Sequence, residues 1–440
     1  MKNFRKIVLI ILFFIIIFFL ILKFYKNIVS IIPESIKSNV PESILVLHLK
    51  IVDFINVKRT PANFLNNAKF LPETHFGQFD FKQFSFVQNE NDIKSDDLIF
   101  SKITASEKFF IDIFEKYIVI TTFDGNIFYF KKDRLEIKKE DISLSQIKTN
   151  LKEYPKLKII DSFIDGNNLY ISTYEFNDQS LTKKPYCDFK IFHAKLNLKI
   201  ITFEQIFSNL GCTKGYMQGG RMQKIYLNQS DGLLFSMAAN LSDYPTSEPQ
   251  DENNNFGKIV FLNLSTGKTE VFSKGHRNPQ GLYVEGGLIL STEHGPLGGD
   301  EINKIIRNKN YGWPIASYGN YYYTNEKNYL KDHDLHGFEE PIYTYIPAIG
   351  ISEIVKIPEK FIQNDLRDIF FVSSLIGRSL HLVKFDKNYS KVIFSEKIFL
   401  NHIIRDLKYI DEFNLFILSL GRKNNDAPSK LGILISKENN

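Results

Sequence analysis

Cysteine and tryptophan are nearly absent from this chain: among 440 residues there are two cysteines, Cys187 and Cys212, and one tryptophan, Trp313. Two cysteines exclude a disulfide-framework fold, and without a Cys-x-x-Cys or a Cys/His zinc spacing they exclude a structural zinc site as well. An oxidising compartment would permit them to pair; the alternative is two small buried hydrophobes. Surplus charge is also missing. The formal charge is +5, but Lys2, Arg5, Lys6, Lys23 and Lys26 all precede residue 27 with no acid among them, so the remainder is neutral. A neutral body lacks the electrostatic footprint of a nucleic-acid binder. Long amphipathic helical patterns and a Gly-x-Ser-x-Gly nucleophile elbow are lacking too. Gly267-Lys268-Thr269 looks like the tail of a phosphate-binding loop, yet its first glycine is missing and a hairpin turn accounts for it.

What is present begins with an unbroken apolar run, Ile7 to Leu22, behind a basic N-terminus and extended by Phe24 and Tyr25 past Lys23. No small-residue cleavage site follows, so residues 1–26 are expected to be an uncleaved transmembrane anchor rather than a removed signal peptide. More positive charge lies before the run than after it. The positive-inside rule then places the N-terminus in the cytoplasm and the globular part outside, in a periplasm or beyond the cell.

Residues 27–91 carry Pro33, Pro41, Pro61 and Pro72 without a clean period and read as a linker and lead-in. From about Lys108 onward, short runs rich in Ile, Phe, Val and Tyr alternate with Asp-Gly and other glycine-bearing punctuation, the pattern of hairpins in an all-β architecture. One element recurs about six times: a turn or acidic residue, a β-rich run, then a small hydroxyl residue. Its copies are Tyr117 to Thr122, Asp165 to Ser172, Asp231 to Ser236, Glu285 to Ser291, Asp368 to Ser373 and Asp411 to Ser419. A spacing of roughly 40 to 80 residues leaves room for four-stranded blades with inserted loops. The expectation is a six-bladed β-propeller over residues 92–440, with a pair of β-sandwiches as the alternative.

Polar groups concentrate in three segments. Gly275-His276-Arg277-Asn278-Pro279-Gln280-Gly281 offers a guanidinium fork and a carboxamide between two expected strands. Thr292 to Asn303 combines three glycines and Pro296 with Glu293, Asp300 and Glu301, an oxygen-rich loop of the kind that suits calcium, or else an acidic turn. Asn310-Tyr311-Gly312-Trp313-Pro314 is an aromatic turn. The Lys and Asp residues between Lys331 and His336 read as a solvated loop rather than a metal site.

Together these three segments resemble the glucose/sorbosone dehydrogenase family, six-bladed propellers that oxidise aldoses with pyrroloquinoline quinone (PQQ) and calcium. Gly219-Gly220-Arg221, Gly257-Lys258-Ile259, Glu340-Pro341, Pro347-Ala348-Ile349 and Ile404-Arg405-Asp406 add weaker matches, so the resemblance covers about Gly215 to Leu407. It implies that Arg277, Asn278, Tyr322 and Arg405 face the quinone. It also implies that Glu301 and Tyr311, with the carbonyls of Gly295 and Pro296, form a calcium site.

The departures bear on activity. The family's catalytic histidine stands two residues before Gly-Gly-Arg, where this chain has Met217, and a thioether cannot accept the sugar hydroxyl's proton. The family's cofactor lysine corresponds to Ile376 in Ser374-Leu375-Ile376-Gly377, and an arginine corresponds to Ile403. A glutamine-bearing loop from an early blade has no counterpart. His276 or His294 could replace the base, and Arg378 the lysine. Three readings follow: a divergent family member with weakened or lost aldose oxidation, a working quinoprotein with a substitute base, and a propeller that binds a protein partner or a second copy of itself.

Overall fold

The computed structural model describes residues 79–88, 108–135, 141–176, 186–213, 219–239, 247–321, 329–362, 367–421 and 429–437. Residues 1–78, Met217 and Tyr322 lie outside that set, as does the apolar run from Ile7 to Leu22. Among the described residues no helix is long and apolar enough to cross a membrane.

Among the described residues the strands assemble into six four-stranded blades, the first and the sixth joined edge to edge in one nine-stranded sheet. The first contains β2 (Phe109–Phe114), β3 (Tyr117–Thr122), β4 (Ile127–Lys131) and β5 (Asp141–Thr149). The second contains β6 (Leu157–Asp165), β7 (Asn168–Phe176), β8 (Tyr186–Lys195) and β10 (Glu204–Thr213), with the short β9 (Ile200–Ile201) paired to β5. The third contains β11 (Gly219–Leu227), β12 (Ser230–Met237), β13 (Lys258–Asn263) and β14 (Thr269–Lys274). The fourth contains β15 (Pro279–Glu285), β16 (Leu288–Glu293), β17 (Asp300–Lys304) and β18 (Tyr343–Tyr345). The fifth contains β19 (Ile351–Lys356), β20 (Ile369–Ser374), β21 (Ser379–Phe385) and β22 (Val392–Phe399). The sixth runs β23 (Ile403–Ile410), β24 (Leu415–Gly421), β25 (Lys430–Ser436) and then β1 (Phe79–Gln88). The first strands pack in a closed cycle, β2, β6, β11, β15, β19, β23 and back to β2, so the sheets are arranged as the blades of a propeller around one axis.

All six recurrent sequence elements become second strands of blades: β3, β7, β12, β16, β20 and β24. Three of their terminal hydroxyls have a structural reason. Ser172 Oγ donates to the Gly220 carbonyl at 2.7 Å, Ser236 Oγ reaches the Pro279 carbonyl at 3.5 Å, and Ser419 Oγ donates to the Phe109 carbonyl at 2.7 Å. In the fourth blade the residue after the terminal Ser291, Thr292, makes the same bond, to the Ser352 carbonyl. Each bond staples one blade to the innermost strand of the next, satisfying a buried carbonyl at the seam.

The ring closes through the end of the lead-in segment. β1 pairs antiparallel with β25 from Phe79↔Ser436 to Phe84↔Leu431, then turns to pair parallel with β5 from Ser85↔Asp141 to Gln88↔Leu144. One strand thus ties the last blade to the first. Cys187 is disulfide-bonded and stands directly opposite Cys212, the chain's other cysteine, on the β8/β10 ladder.

Candidate functional site

Five of the six innermost strands are interrupted by a bulge or irregularity near the same end, between Ile159 and Asp161, Gly219 and Met222, Pro279 and Gly281, Ile351 and Ile354, and Ile404 and Asp406. A bulge re-aims side chains out of strand alternation. Here the bulges deliver Asp161, Arg221, Glu353 and Asp406 to one buried cluster at the axis. Arg221 Nη1 lies 2.8 Å from Asp161, 3.1 Å from Glu353 and 3.6 Å from Asp406. Its Nη2 donates to the Arg405 carbonyl at 2.7 Å, and its Nε to the Gln280 carbonyl at 2.6 Å. Gly220 is required for this reach: at φ +92° it is in the left-handed region, and a Cβ would fall 2.3 Å from Ile160 Cδ1. Asp112 and Lys408 complete the cluster electrostatically. Burial pushes Asp112 up to about 6 against Lys408 and the Ser162 hydroxyl, and raises Asp161 and Glu353 against Arg221.

The expected quinone-facing residues stand beside this cluster. Gly275 turns the chain at φ +77°, where a Cβ would meet Asn310 Oδ1 at 2.2 Å. The carboxylate of Glu293 then collects the backbone N–H of Arg277, that of Asn278 at 3.2 Å and His276 Nδ1 at 3.1 Å. His276 is fully buried, bonds Ser273 Oγ through its other nitrogen at 2.8 Å and stacks on Tyr311. It holds the turn and is closed to a ligand. Arg277 donates Nη1 to the His294 carbonyl at 2.9 Å and lies over the Trp313 ring, 5.2 Å from its centroid. Asn278 Oδ1 accepts from Gly219 N at 3.2 Å and Gln280 Nε2 at 2.8 Å.

His294 links these residues to Arg405. Its Nε2 donates to the Ile351 carbonyl at 2.5 Å, and its Nδ1 stands 3.5 Å from Asn278 Nδ2. Ser352, next along β19, donates to the Arg405 carbonyl at 2.8 Å. The structure therefore connects the Arg277 and Asn278 side chains to the backbone of Arg405, whose guanidinium is near enough to His294 to act on its charge. Burial, opposed by Asp300, lowers the pKa of His294, so its imidazole is neutral near pH 7.

Ile376, at the cofactor-lysine position, is 77% exposed on the β20–β21 turn, which docks through Leu375 N on the Gly350 carbonyl and Gly377 N on the Ile349 carbonyl, both at 2.8 Å. A side chain so exposed does not plug the axis. Arg378, the conceivable replacement, bonds Asn401 Oδ1 at 3.4 Å. These residues fit a tricarboxylate quinone only in part: Arg277, Asn278 and Arg405 can supply donors, Ile376 and Ile403 cannot.

The calcium expectation divides. Asp300 holds the Gly295–Pro296 turn, accepting from Gly295 N at 3.0 Å, Ile349 N at 2.9 Å and Ile351 N at 3.0 Å. The Tyr311 hydroxyl, however, donates to the Lys304 carbonyl at 2.5 Å and accepts from Ile306 N at 2.9 Å, and Glu301 Oε2 accepts from Asn303 Nδ2 at 3.3 Å. Both are engaged within their own blade. Among the described residues no group of three or more His, Cys, Asp or Glu side chains is placed to hold a metal ion.

A cleft of about 490 Å³ opens at the other end of the innermost strands, between Tyr283, Glu285, Lys356, Arg367 and Tyr409. Its charges are paired locally, Lys356 with Glu285 and Arg367 with Glu359. The chemistry points instead to the Arg277–His294–Arg405 rim. The axial carboxylates were missed in the sequence, although an acid inside an apolar run, as in Ile159-Ile160-Asp161 or Ile403-Ile404-Arg405-Asp406, is a signal of an inward-facing polar group.

Comparison with known proteins agrees with this geometry. The chain is 29% identical over 170 residues to the aldose sugar dehydrogenase YliI of Escherichia coli, covering 35% of this chain and 44% of the relative. It is 30% identical over 184 residues to quinoprotein glucose dehydrogenase B of Acinetobacter calcoaceticus, covering 36% and 38%. The aligned stretch is thus under half the length of either relative. In three dimensions it resembles the soluble aldose sugar dehydrogenase of Escherichia coli in its apo form, with TM-score 0.60, 19% identity and coverage of 76% and 97%. It also resembles the PQQ-bound aldose sugar dehydrogenase of Streptomyces coelicolor, with TM-score 0.56, 14% identity and coverage of 81% and 99%. Likeness at that identity establishes the fold; membership rests on the family model for Glucose / Sorbosone dehydrogenase, which matches residues 115–425. With propeller, rim and family model in agreement, the chain belongs to the glucose/sorbosone dehydrogenase family.

Proposed function

We propose that this protein is an exported, membrane-held member of the family whose axial rim binds an anionic ligand of the quinone class, while aldose oxidation is weakened or lost. One observation supports the reading: the Arg277 and Asn278 side chains are bonded around His294 close to the Arg405 charge, yet the lysine position is an exposed Ile376. The family's histidine position is Met217, which supplies no base. A charge-assisted hydrogen bond to a buried anion contributes roughly 1.5–3 kcal/mol, so each lost cation weakens quinone binding by one to two orders of magnitude. When bound, the quinone would supply the hydride acceptor. What the chain lacks is a base for the sugar hydroxyl's proton.

The test uses the full-length protein with PQQ and calcium, titrated by fluorescence and assayed by dye reduction with a panel of aldoses. Weak quinone binding and near-background turnover are expected. Ile376→Lys should tighten binding, and Met217→His should raise turnover by about 10²- to 10⁴-fold, the usual worth of a general base. Wild-type turnover already equal to that of the double variant would overturn the proposal.

His294 favours a second reading, an active aldose dehydrogenase. Its neutral imidazole donates through Nε2, which leaves Nδ1 as a lone-pair site beside Asn278. In that case His294→Gln abolishes turnover while quinone affinity is retained.

A further inference from the structure

Lys331 opens a polar stretch that reads as a solvated loop, but its ammonium is turned inward. Nζ donates to the carbonyls of Ser317 and Gly319, each at 2.6 Å. These carbonyls belong to the turn after Trp313, which is bonded to the oxygen-rich loop before β17: Leu297 N donates to the Asn320 carbonyl at 3.2 Å, and Asn320 N to the Leu297 carbonyl at 2.9 Å. Gly299 packs so closely there that a Cβ on it would lie 2.2 Å from Gly319 N. Glu301 follows two residues later and is buried. Burial lowers the Lys331 pKa and Glu301 opposes that shift; burial raises Glu301 itself, with Glu293 next in effect.

Two converging backbone carbonyls are oxygen donors of the kind that a hard cation seeks. Left without a positive charge, they would be buried acceptors facing one another at a cost. We infer that Lys331 is a built-in cation: its ammonium occupies the place at the Ser317 and Gly319 carbonyls that a calcium ion would otherwise fill, so these two loops are held together without metal. The commitment of the Tyr311 hydroxyl to Lys304 and Ile306 agrees with a locus that asks no further ligand of that residue. The inference is independent of the quinone, and its readouts are independent of activity.

Thermal unfolding of the full-length protein should be unmoved at this locus by calcium or EDTA. Lys331→Met, which keeps the apolar stem and removes the charge, should lower the midpoint by several degrees in EDTA, and excess calcium should restore part of the loss. Strontium and lanthanum should restore it as well, whereas sodium should not. A wild-type midpoint raised by calcium and lowered by EDTA, or a Lys331→Met loss that no cation restores, overturns the inference. Metal analysis gives a second arm should Lys331→Met fail to fold. Glu301→Gln should leave bound calcium per chain the same as wild type, because the cation at these loops is an ammonium; a loss of one calcium per chain would show that a metal sits there and overturn the inference.

Discussion

Asp112 is a carboxylic acid placed where water does not reach, and its protonation couples to folding in the direction opposite to that of a salt-bridged aspartate. The unfolded side chain titrates near 3.8, and the folded one is raised to about 6 by burial, with Lys408 and the Ser162 hydroxyl, at 2.5 Å, only partly offsetting that rise. Between those values the folded state holds a proton that the unfolded chain has released. Stability therefore falls as pH rises from about 4 to 6 and is flat above that range, by on the order of 2–3 kcal/mol for this group. Asp112→Asn should flatten that part of the profile and match or exceed wild-type stability at pH 7. Urea unfolding at a series of pH values measures it, and parallel profiles for the two proteins would refute the assignment. Asp161 and Glu353 are raised in the same sense, so some slope should remain in the variant.

Among the elements, β1 has the largest consequence for so few residues, since it forms the outer strand of the sixth blade and also reaches the first. Phe84 and Phe86 enter the core shared with β2, β3, β4 and β5, while Phe79 stacks on Phe361 at 5.8 Å between centroids. Truncating a buried phenylalanine removes its transfer free energy and leaves a cavity, typically a loss of about 3–5 kcal/mol. Phe84→Ala should lower the urea midpoint accordingly and open β25 to limited proteolysis, which maps whether the ring parts at that seam. Cleavage elsewhere, with β1 still protected, would count against β1 as the closing element. The same strand shows what the sequence concealed. The second strands of the blades were legible because a turn, a β-rich run and a hydroxyl lie within about ten residues of one another, the scale of a hairpin. β1 was not, because one partner, β25, comes from the far end of the chain, the other, β5, lies three strands on, and no local pattern specifies either. The Arg277–Asn278 turn was legible because its polar residues are consecutive in Gly275 to Gly281 and the segments around Glu293 and Trp313 follow in the same order. The axial cluster was hidden because each strand contributes a single polar residue that reads alone as an interruption of an apolar run.

At the scale of the whole molecule, Arg221 is where the six blades meet. From β11 it reaches Asp161 of β6, the Gln280 carbonyl of β15, Glu353 of β19 and the Arg405 carbonyl of β23, and its guanidinium lies 5.5 Å from the centroid of the Phe110 ring in β2. Four carboxylates share this interior with Arg221 and Lys408, so removing one cation leaves anions facing each other in a medium that cannot solvate them. Breaking a buried pair in this way costs about 3–5 kcal/mol, far more than a surface ion pair contributes. Arg221→Met should therefore destabilise the protein by that order at pH 7.5, and the deficit should shrink at pH 5, where the unpaired carboxylates can take up protons instead. Arg221→Lys should fall between, because an ammonium keeps the charge without the planar fork that serves carboxylates and carbonyls together. Because the same guanidinium fixes the Arg405 carbonyl, quinone affinity should drop in Arg221→Lys by more than its stability loss would suggest. Equal deficits at pH 5 and pH 7.5 would mean that Arg221 acts by packing alone, and the electrostatic account of the axis would then fail.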